Sequence, residues 1–221
     1  MKTIGYIYTD FDTKFGAPRQ SGIITSSFGK IVLEGEYSNP TAFRGLEDFS
    51  HIWVLWEFSE AKEKEWSSTV RPPMLGGNKR MGVFATRSPY RPNSIAMSAL
   101  KLEKIEFGEN GRTEIFVSGC DMMNKTPVID IKPYLAYTDS IPDTKGGFTE
   151  NLKDRTLEVY FPDELLCKIP AEKRSTLTEV LESDPRPSYK SDGDKVYGFK
   201  FAGFEIKFKV AEKTLTVISV E

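Results

Sequence analysis

Between Trp66 and Leu102 the chain carries no aspartate or glutamate, yet it holds Arg71, Lys79, Arg80, Arg87, Arg91 and Lys101. With 32 acids among 221 residues, a stretch of this length would carry about five by chance. Concentrated positive charge of this kind is the electrostatic footprint of a polyanion site. The whole molecule does not supply it, because 30 basic and 32 acidic residues leave a formal charge of −2. Two proline- and glycine-bearing loops hold most of the cations: Arg71-Pro-Pro-Met-Leu-Gly-Gly-Asn-Lys-Arg80, and Arg87-Ser-Pro-Tyr-Arg-Pro-Asn93. Rigid loops present guanidinium forks at low entropic cost, and those forks suit phosphate or carboxylate.

Two further clusters offer binding or reactive groups. Phe15-Gly-Ala-Pro-Arg-Gln-Ser-Gly22 exposes backbone together with Arg19 and the Gln20 amide. Asn124-Lys-Thr-Pro-Val-Ile-Asp-Ile-Lys-Pro-Tyr134 joins a turn to a strand, and Asp130, Lys132 and Tyr134 alternate onto one face of it. Asp130 is then either a reactive carboxylate or half of an i, i+2 ion pair with Lys132. One histidine, His51, and two cysteines, Cys120 and Cys167, are too few for a zinc cage or a disulfide framework. Any acid–base scheme uses His51 or dispenses with histidine. His51 reads as structural, Trp53 and Trp56 as core, and the cysteines as inert free thiols.

The elements that must position these groups are mostly strands over the first 140 residues. Apolar, β-branched and alternating runs predict strands at Thr3–Tyr8, Lys30–Tyr37, His51–Phe58 as a compact buried strand, Met81–Thr86, Ala99–Phe107, Thr113–Ser118 and Pro127–Ile131. A helical turn is expected near Ala42–Phe49, and Asn110-Gly111 signals a hairpin. No strand alternates with a long helical pattern, so a small antiparallel β-barrel or sandwich is favoured over a doubly wound sheet. Residues 138–153 are polar and mark a linker. After them Pro170–Ser183 reads as a helix, Val196–Phe201 and Phe204–Val210 as a hairpin around Ala202-Gly203, and Leu215–Val220 as a third strand. The expected organisation is mainly β: a barrel domain over 1–145 and a small α+β domain over 146–221. Met1–Gly16 lacks the apolar stretch of a secretory signal and no run is long enough to span a bilayer, so the chain reads as cytoplasmic.

Several long motifs carry a family resemblance: RPPMLGGNKRMGVFATRSPYRPNSIAMS (71–98), TPVIDIKPYLAYTDSIPD (126–143), FGAPRQSG (15–22), GLEDFSHIWVLWEF (45–58) and LTEVLESDPRPSY (177–189). In this order, over nearly the whole chain, they resemble the S-adenosylmethionine-dependent tRNA N6-threonylcarbamoyladenosine methyltransferases, the β-barrel tRNA methylases. The resemblance implies a small β-barrel, a homodimer with the methyl donor near the subunit interface, and methylation of N6 of threonylcarbamoyladenosine at position 37 of a threonine tRNA. It implies donor contacts at Pro18, Arg19, Gln20, Ser59, Glu60, Arg87, Met97, Met122, Met123, Asn124 and Lys125. The chain departs from the family pattern at Ser59, Met74, Ser94 and Ala96, and at Asn124-Lys125, where Asp-Gly is common and a side chain must now be placed beside the donor.

Methyl transfer from a sulfonium is an in-line displacement, so the enzyme aligns three atoms and manages one proton. The ureido-like N6 is a poor nucleophile and needs an acceptor for its proton. Asp130 is the candidate, with Asn93 or Tyr134 orienting the base. Arg71, Lys79, Arg80 and Arg91 are expected to meet the threonine carboxylate and the backbone of the anticodon stem-loop, while Tyr90 stacks on an unpaired base. Two alternatives stay open: a non-catalytic donor- and RNA-binding module, and a methyltransferase acting on another adenosine-containing substrate.

Overall fold

The computed structural model describes residues 1–61, 65–108, 111–152, 156–186 and 195–221. Its first part contains β1 (Gly5–Thr9), β2 (Phe28–Leu33), β3 (His51–Glu57), β4 (Thr69–Val70), β5 (Met81–Gly82), β6 (Ile95–Phe107), β7 (Thr113–Ser118) and β8 (Thr126–Pro133). Six of these strands close into a barrel in the order β1-β2-β7-β6-β3-β8, with every pair antiparallel. Period-two alternation builds its interior. In β3, Ile52, Val54 and Trp56 point inward, whereas His51, Trp53, Leu55 and Glu57 face out. The inward set meets Ile7, Ile31, Leu33, Leu100, Ile115, Val117, Met122 and Val128 in one core. Register shifts at Leu55/Trp56 and at Leu102/Lys104 supply the bending that a barrel of so few strands requires.

Three expectations change. β3 is half-buried and not a fully buried strand: Trp56 lies in the core, but Trp53 sits outside against Tyr134 and donates from Nε1 to Asp139 Oδ2 at 2.7 Å. The run 81–86 forms only the two residues of β5, paired with β4, and then turns through a 3-10 segment at Val83–Ala85. The closed barrel leaves it no edge to join. β2 ends at Leu33, and Gly35–Ser38 is a 3-10 turn. The expected helical turn is a pair of 3-10 turns, Pro40–Phe43 and Leu46–Asp48. Asn110 of the expected hairpin turn lies outside the described residues, while β6 and β7 pair as antiparallel neighbours.

The remainder comprises α1 (Ala136–Asp139), a 3-10 turn at Gly147–Leu152, β9 (Glu158–Tyr160), α2 (Asp163–Leu166), α3 (Ala171–Glu182), β10 (Tyr197–Phe201), β11 (Phe204–Ala211) and β12 (Thr214–Val220). The sheet order is β10-β11-β12-β9, with β9 parallel to β12. Ala202 and Gly203 both take positive φ, 50° and 86°, as a two-residue type I′ hairpin requires. Leu177, Val180 and Leu181 of α3 pack on the inner sheet face, where Phe199, Phe201, Phe208 and Val217 form a second core. Phe11 and Ile24, which precede most of the barrel strands, are buried in this second core. Among the described residues no helix is long and apolar enough to cross a membrane, and no group of three or more histidine, cysteine, aspartate or glutamate side chains is placed to hold a metal ion.

Candidate functional site

One end of the barrel gathers three irregular segments: the loop 15–22 after β1, the segment 83–94 before β6, and the turn 119–125 between β7 and β8. Their backbones are tied together. Gly22 N donates to Gly119 O at 3.0 Å, and Ser27 Oγ donates to Ile24 O at 2.8 Å and Cys120 O at 2.9 Å. Arg87 Nη1 donates to Gln20 Oε1, which joins the first segment to the second. Beneath this pair lies Asp121. Its Oδ1 accepts from Ser98 Oγ at 2.6 Å, and that hydroxyl in turn accepts from the buried Trp56 Nε1 at 3.0 Å. Burial pushes the Asp121 carboxyl above its ordinary range, opposed by the bonds from Ser98 and from the backbone at Asp121 and Ser21, and by the charge of Arg87. A partly dehydrated carboxylate thus lies near a guanidinium among glycine- and proline-bearing loops, a combination suited to a small zwitterionic ligand.

Asp121 is the group that the sequence reading passed over. It is the sole carboxylate between Glu114 and Asp130, and it immediately precedes the turn singled out at Met122–Lys125. The methionine beside it does not behave as expected of a side chain packing on a ligand. Met122 is fully buried in the barrel core, which leaves only its backbone to the turn's outer surface, and its carbonyl already accepts from Thr9 Oγ1 at 2.9 Å. Asn124 explains its own departure from Asp: Nδ2 donates to Asp12 Oδ1 at 3.2 Å and Oδ1 accepts from Thr9 N at 3.3 Å. Lys125 adopts φ 63°, the left-handed conformation in which glycine is strain-free, so the turn keeps its backbone course without glycine. Met123 O accepts from Thr126 Oγ1 at 2.8 Å. Ser59 and Glu60 are exposed on a 3-10 turn at the end of β3, where Phe58 N donates to Ser94 O at 2.9 Å.

Arg19 points elsewhere. Its Nη2 donates to the carbonyls of Asp184 at 2.9 Å and Arg186 at 2.8 Å, beyond the end of α3. Pro18, next to it in the chain, is buried. Arg186 forks onto Asp184 at 2.8 and 3.0 Å, and residues 187–189 lie outside the described residues.

On the barrel's outer face, Leu55 pairs with Met97 on one side and Asp130 on the other. Directly paired residues share a face, so Met97 and Asp130 stand in one row about two strand spacings, roughly 10 Å, apart. Asp130 has formed the local ion pair, Oδ2 to Lys132 Nζ at 2.9 Å, and its Oδ1 accepts from Ile131 N at 2.9 Å. Its two expected helpers are separated. Tyr134 N donates to His51 O at the start of β3, while Asn93 precedes Ile95, which pairs with Glu57 at the other end. The six residue steps from His51 to Glu57 span roughly 20 Å, so one of the two at most can serve a base beside Asp130. His51 is exposed, with Nδ1 2.9 Å from Ser50 Oγ.

The acid-free window is an outward shelf. Arg71 and Lys79 are exposed. Arg80 Nη1 donates to Thr69 Oγ1 at 2.9 Å, which braces the β4–β5 ribbon. Arg91 Nη1 donates to Val83 O at 3.1 Å and Thr86 O at 2.7 Å and lies over the Phe84 ring, so it shapes the segment that carries Arg87. Tyr90 is half-buried, with its backbone carbonyl accepting from Ser67 N at 3.2 Å.

Comparison with known proteins places this geometry. Residues 6–140 match the family model described as the tRNA-methyltransferase O N-terminal domain, and residues 154–221 match the TrmO C-terminal domain. The tRNA (adenine(37)-N6)-methyltransferase of Escherichia coli K12 is 37% identical over 226 residues, covering 99% of this chain and 96% of that protein. A Pseudomonas aeruginosa protein, RcsF, whose name describes an S-adenosylmethionine-dependent methyltransferase, is 35% identical over 213 residues, 92% of this chain and 89% of its own. The crystal structure of TrmO from Pseudomonas aeruginosa superposes with a TM-score of 0.78 at 29% identity, over 99% of this chain and 97% of that one. The chain belongs to the tRNA-methyltransferase O family.

Proposed function

We propose that this protein transfers the methyl group of S-adenosylmethionine to N6 of the N6-threonylcarbamoyladenosine at position 37 of a tRNA, with threonine tRNA as the expected species. The observation that carries the reading is the convergence of loop 15–22, Arg87 and the turn 119–125 over Asp121, in a chain that matches the Escherichia coli enzyme end to end.

The residues fit that donor. Gln20 and Arg87 meet the carboxylate of its methionine moiety, and the backbone of Pro18–Gln20 and of Met122–Lys125 holds its polar edges. Asp121 keeps Ser21 N–H and Arg87 in place and supplies negative charge near the donor's ammonium. Ser59 and Glu60 border the same cleft, and Met97 offers a polarizable surface to adenine. When bound, the donor supplies an electrophilic methyl carbon on sulfur. That carbon would be available to N6 of the substrate, and Asp130 would accept the N6 proton, exchanging its contact with Lys132 for it. Arg71 and Lys79, with Arg80 and Arg91 behind them, meet the substrate's carboxylate and phosphates, and Tyr90 or an orienting Asn93 contacts the base.

The protein acts as a homodimer. The outward residues Leu55, Ile95, Met97 and Ala99 form an apolar stripe across β3 and β6, and a second copy that covers this stripe puts Met97 at a subunit junction. The division at 145/146 and a cytoplasmic site of action belong to the same reading, the first supported by the two family-model domains at 6–140 and 154–221 and the second by the tRNA substrate.

The deciding measurement is radiolabelled methyl transfer to tRNA with and without the threonylcarbamoyl group. Incorporation only with the modified tRNA is expected. Equal incorporation into both redirects the substrate assignment, and donor binding without transfer makes the protein a binding module. An Asp130→Asn protein that binds donor normally and turns over at the parental rate removes Asp130 from the mechanism.

A further inference from the structure

Among the described residues, the C-terminal unit meets the N-terminal part through residues 10–26, the stretch that contains the loop 15–22. One face of α3 makes the contacts. Lys173, Thr176 and Glu179, three residues apart and so aligned on one side, reach Asp10 Oδ2 at 2.5 Å, Ser26 O at 2.6 Å and Ser26 N at 3.5 Å. The β10–β11 hairpin adds Ala202 N to Asp10 O at 2.9 Å. Phe11 is buried against Phe201, with ring centroids 5.8 Å apart, and Phe15 meets Phe199 edge-on at 6.0 Å. Gly16, at φ 97°, lies so close to Phe199 that a Cβ there would stand 2.3 Å from its ring. Arg19 closes the series on the carbonyls of Asp184 and Arg186.

The same N-terminal segment continues into the turn on the other side of the cleft. Phe11 O accepts from Asn124 N at 2.8 Å, and Asp12 Oδ1 accepts from Asn124 Nδ2 at 3.2 Å. Residues 10–12 therefore join α3 and the β10–β11 hairpin to the turn 122–125, while 15–19 join the same unit to the Gln20–Arg87 pair. Loops rich in glycine and proline have no core of their own to hold them in one conformation. Here the second core does so.

We propose that the C-terminal unit is a brace that sets the conformation of both donor loops, and that the Arg19 side chain is a positioning group held by this unit, leaving only its backbone to the donor. The inference rests on the donor-cleft reading above. It assigns the unit a part in donor affinity, in place of a passive appendage or a second RNA-binding surface. An unbraced loop samples many conformers, and donor binding then has to order it, which weakens affinity without altering the chemical step.

The test uses the full-length protein with Lys173→Met and Thr176→Val combined, two tail-side changes remote from the donor. The donor dissociation constant from calorimetry, and the donor KM, are expected to rise about tenfold. The kcat at saturating donor and the KM for tRNA are expected to stay within twofold, and Lys173→Arg with Thr176→Ser is expected to restore donor affinity. A folded double variant with parental donor affinity, or one that loses tRNA affinity instead, overturns the proposal. If the double variant lacks a cooperative melt, Lys173→Met alone decides by the same criteria. Gln20→Ala in the parental background separates the two readings. Should Gln20→Ala leave donor binding untouched, the cleft assignment fails; should it weaken binding while the tail variants do not, only the brace fails.

Discussion

A carboxylate lifted above its ordinary range leaves a signature in stability. For Asp121 the folded state favours the protonated form more than the unfolded chain does, so the native state binds more protons across the interval between the two pKa values. Stability from this group is present below the unfolded value near about 4 and is lost as pH rises through the folded one. Asp121→Asn keeps an acceptor for Ser98 and removes the titration. Its melting temperature relative to the parent is expected to climb from pH 4 toward neutrality, and a pH-independent difference would refute the assignment. Lys125 carries a different strain. Its left-handed φ of 63° costs a side chain roughly 1 kcal/mol that glycine avoids, so Lys125→Gly is expected to stabilise the fold by up to about 1 kcal/mol in urea titration. The cysteines divide by environment. Cys120 is buried, and burial with the nearby Asp121 and Asp10 pushes its thiol up, whereas Cys167 is exposed. An aromatic disulfide reagent is expected to label one thiol in the native protein and two after denaturation.

Among the elements, the sheet β8-β3-β6 carries most of the information about assembly. Its inward face is core, yet its outward face retains Leu55, Ile95, Met97 and Ala99 where an isolated barrel would gain by polar substitution. Met97→Asp places a charge on this stripe and is expected to shift the species seen by light scattering from dimer to monomer, with little change in unfolding temperature. A monomeric parent would remove the premise. α3 and the β10–β11 hairpin form the other instructive pair. Both were legible from local signals, the spacing of Leu177, Val180 and Leu181 and the Ala202-Gly203 turn. β9 and α2 were not legible, because a three-residue strand and a four-residue helix leave too short a pattern to read. The run 81–86 was misread for the opposite reason: its apolar pattern is real, but no strand edge was left for it to join.

For the whole molecule, the near-neutral total leaves the acid-free window 66–102 as the expected source of RNA affinity. Exposed Arg71 and Lys79 are expected to contact phosphate, so tRNA affinity falls with salt, and Arg71→Ala or Lys79→Ala each flattens the salt slope by about 1. A slope unchanged in both variants would move the RNA surface elsewhere. Arg80 and Arg91 are tied to Thr69 and to the carbonyls of Val83 and Thr86, so their replacement is expected to lower donor and tRNA affinity together.

By itself the sequence determined the strand-dominated class, the barrel strands with strong alternation, the segments that gather at the candidate site, and a histidine and cysteine count too small for a zinc cage or a disulfide framework. These follow from residue type, local periodicity and simple counts, which need no knowledge of distant neighbours. Only the tertiary structure decided that Met122 is core, that Arg19 serves the C-terminal unit, that Tyr134 and Asn93 stand at opposite ends of β3, and that Asp121 lies beneath Gln20 and Arg87. Each depends on which distant segments share a cleft and which side of a closed sheet a residue faces. Barrel closure and register decide that, and residues more than a hundred positions apart, such as Thr9 and Asn124, meet only once both are set.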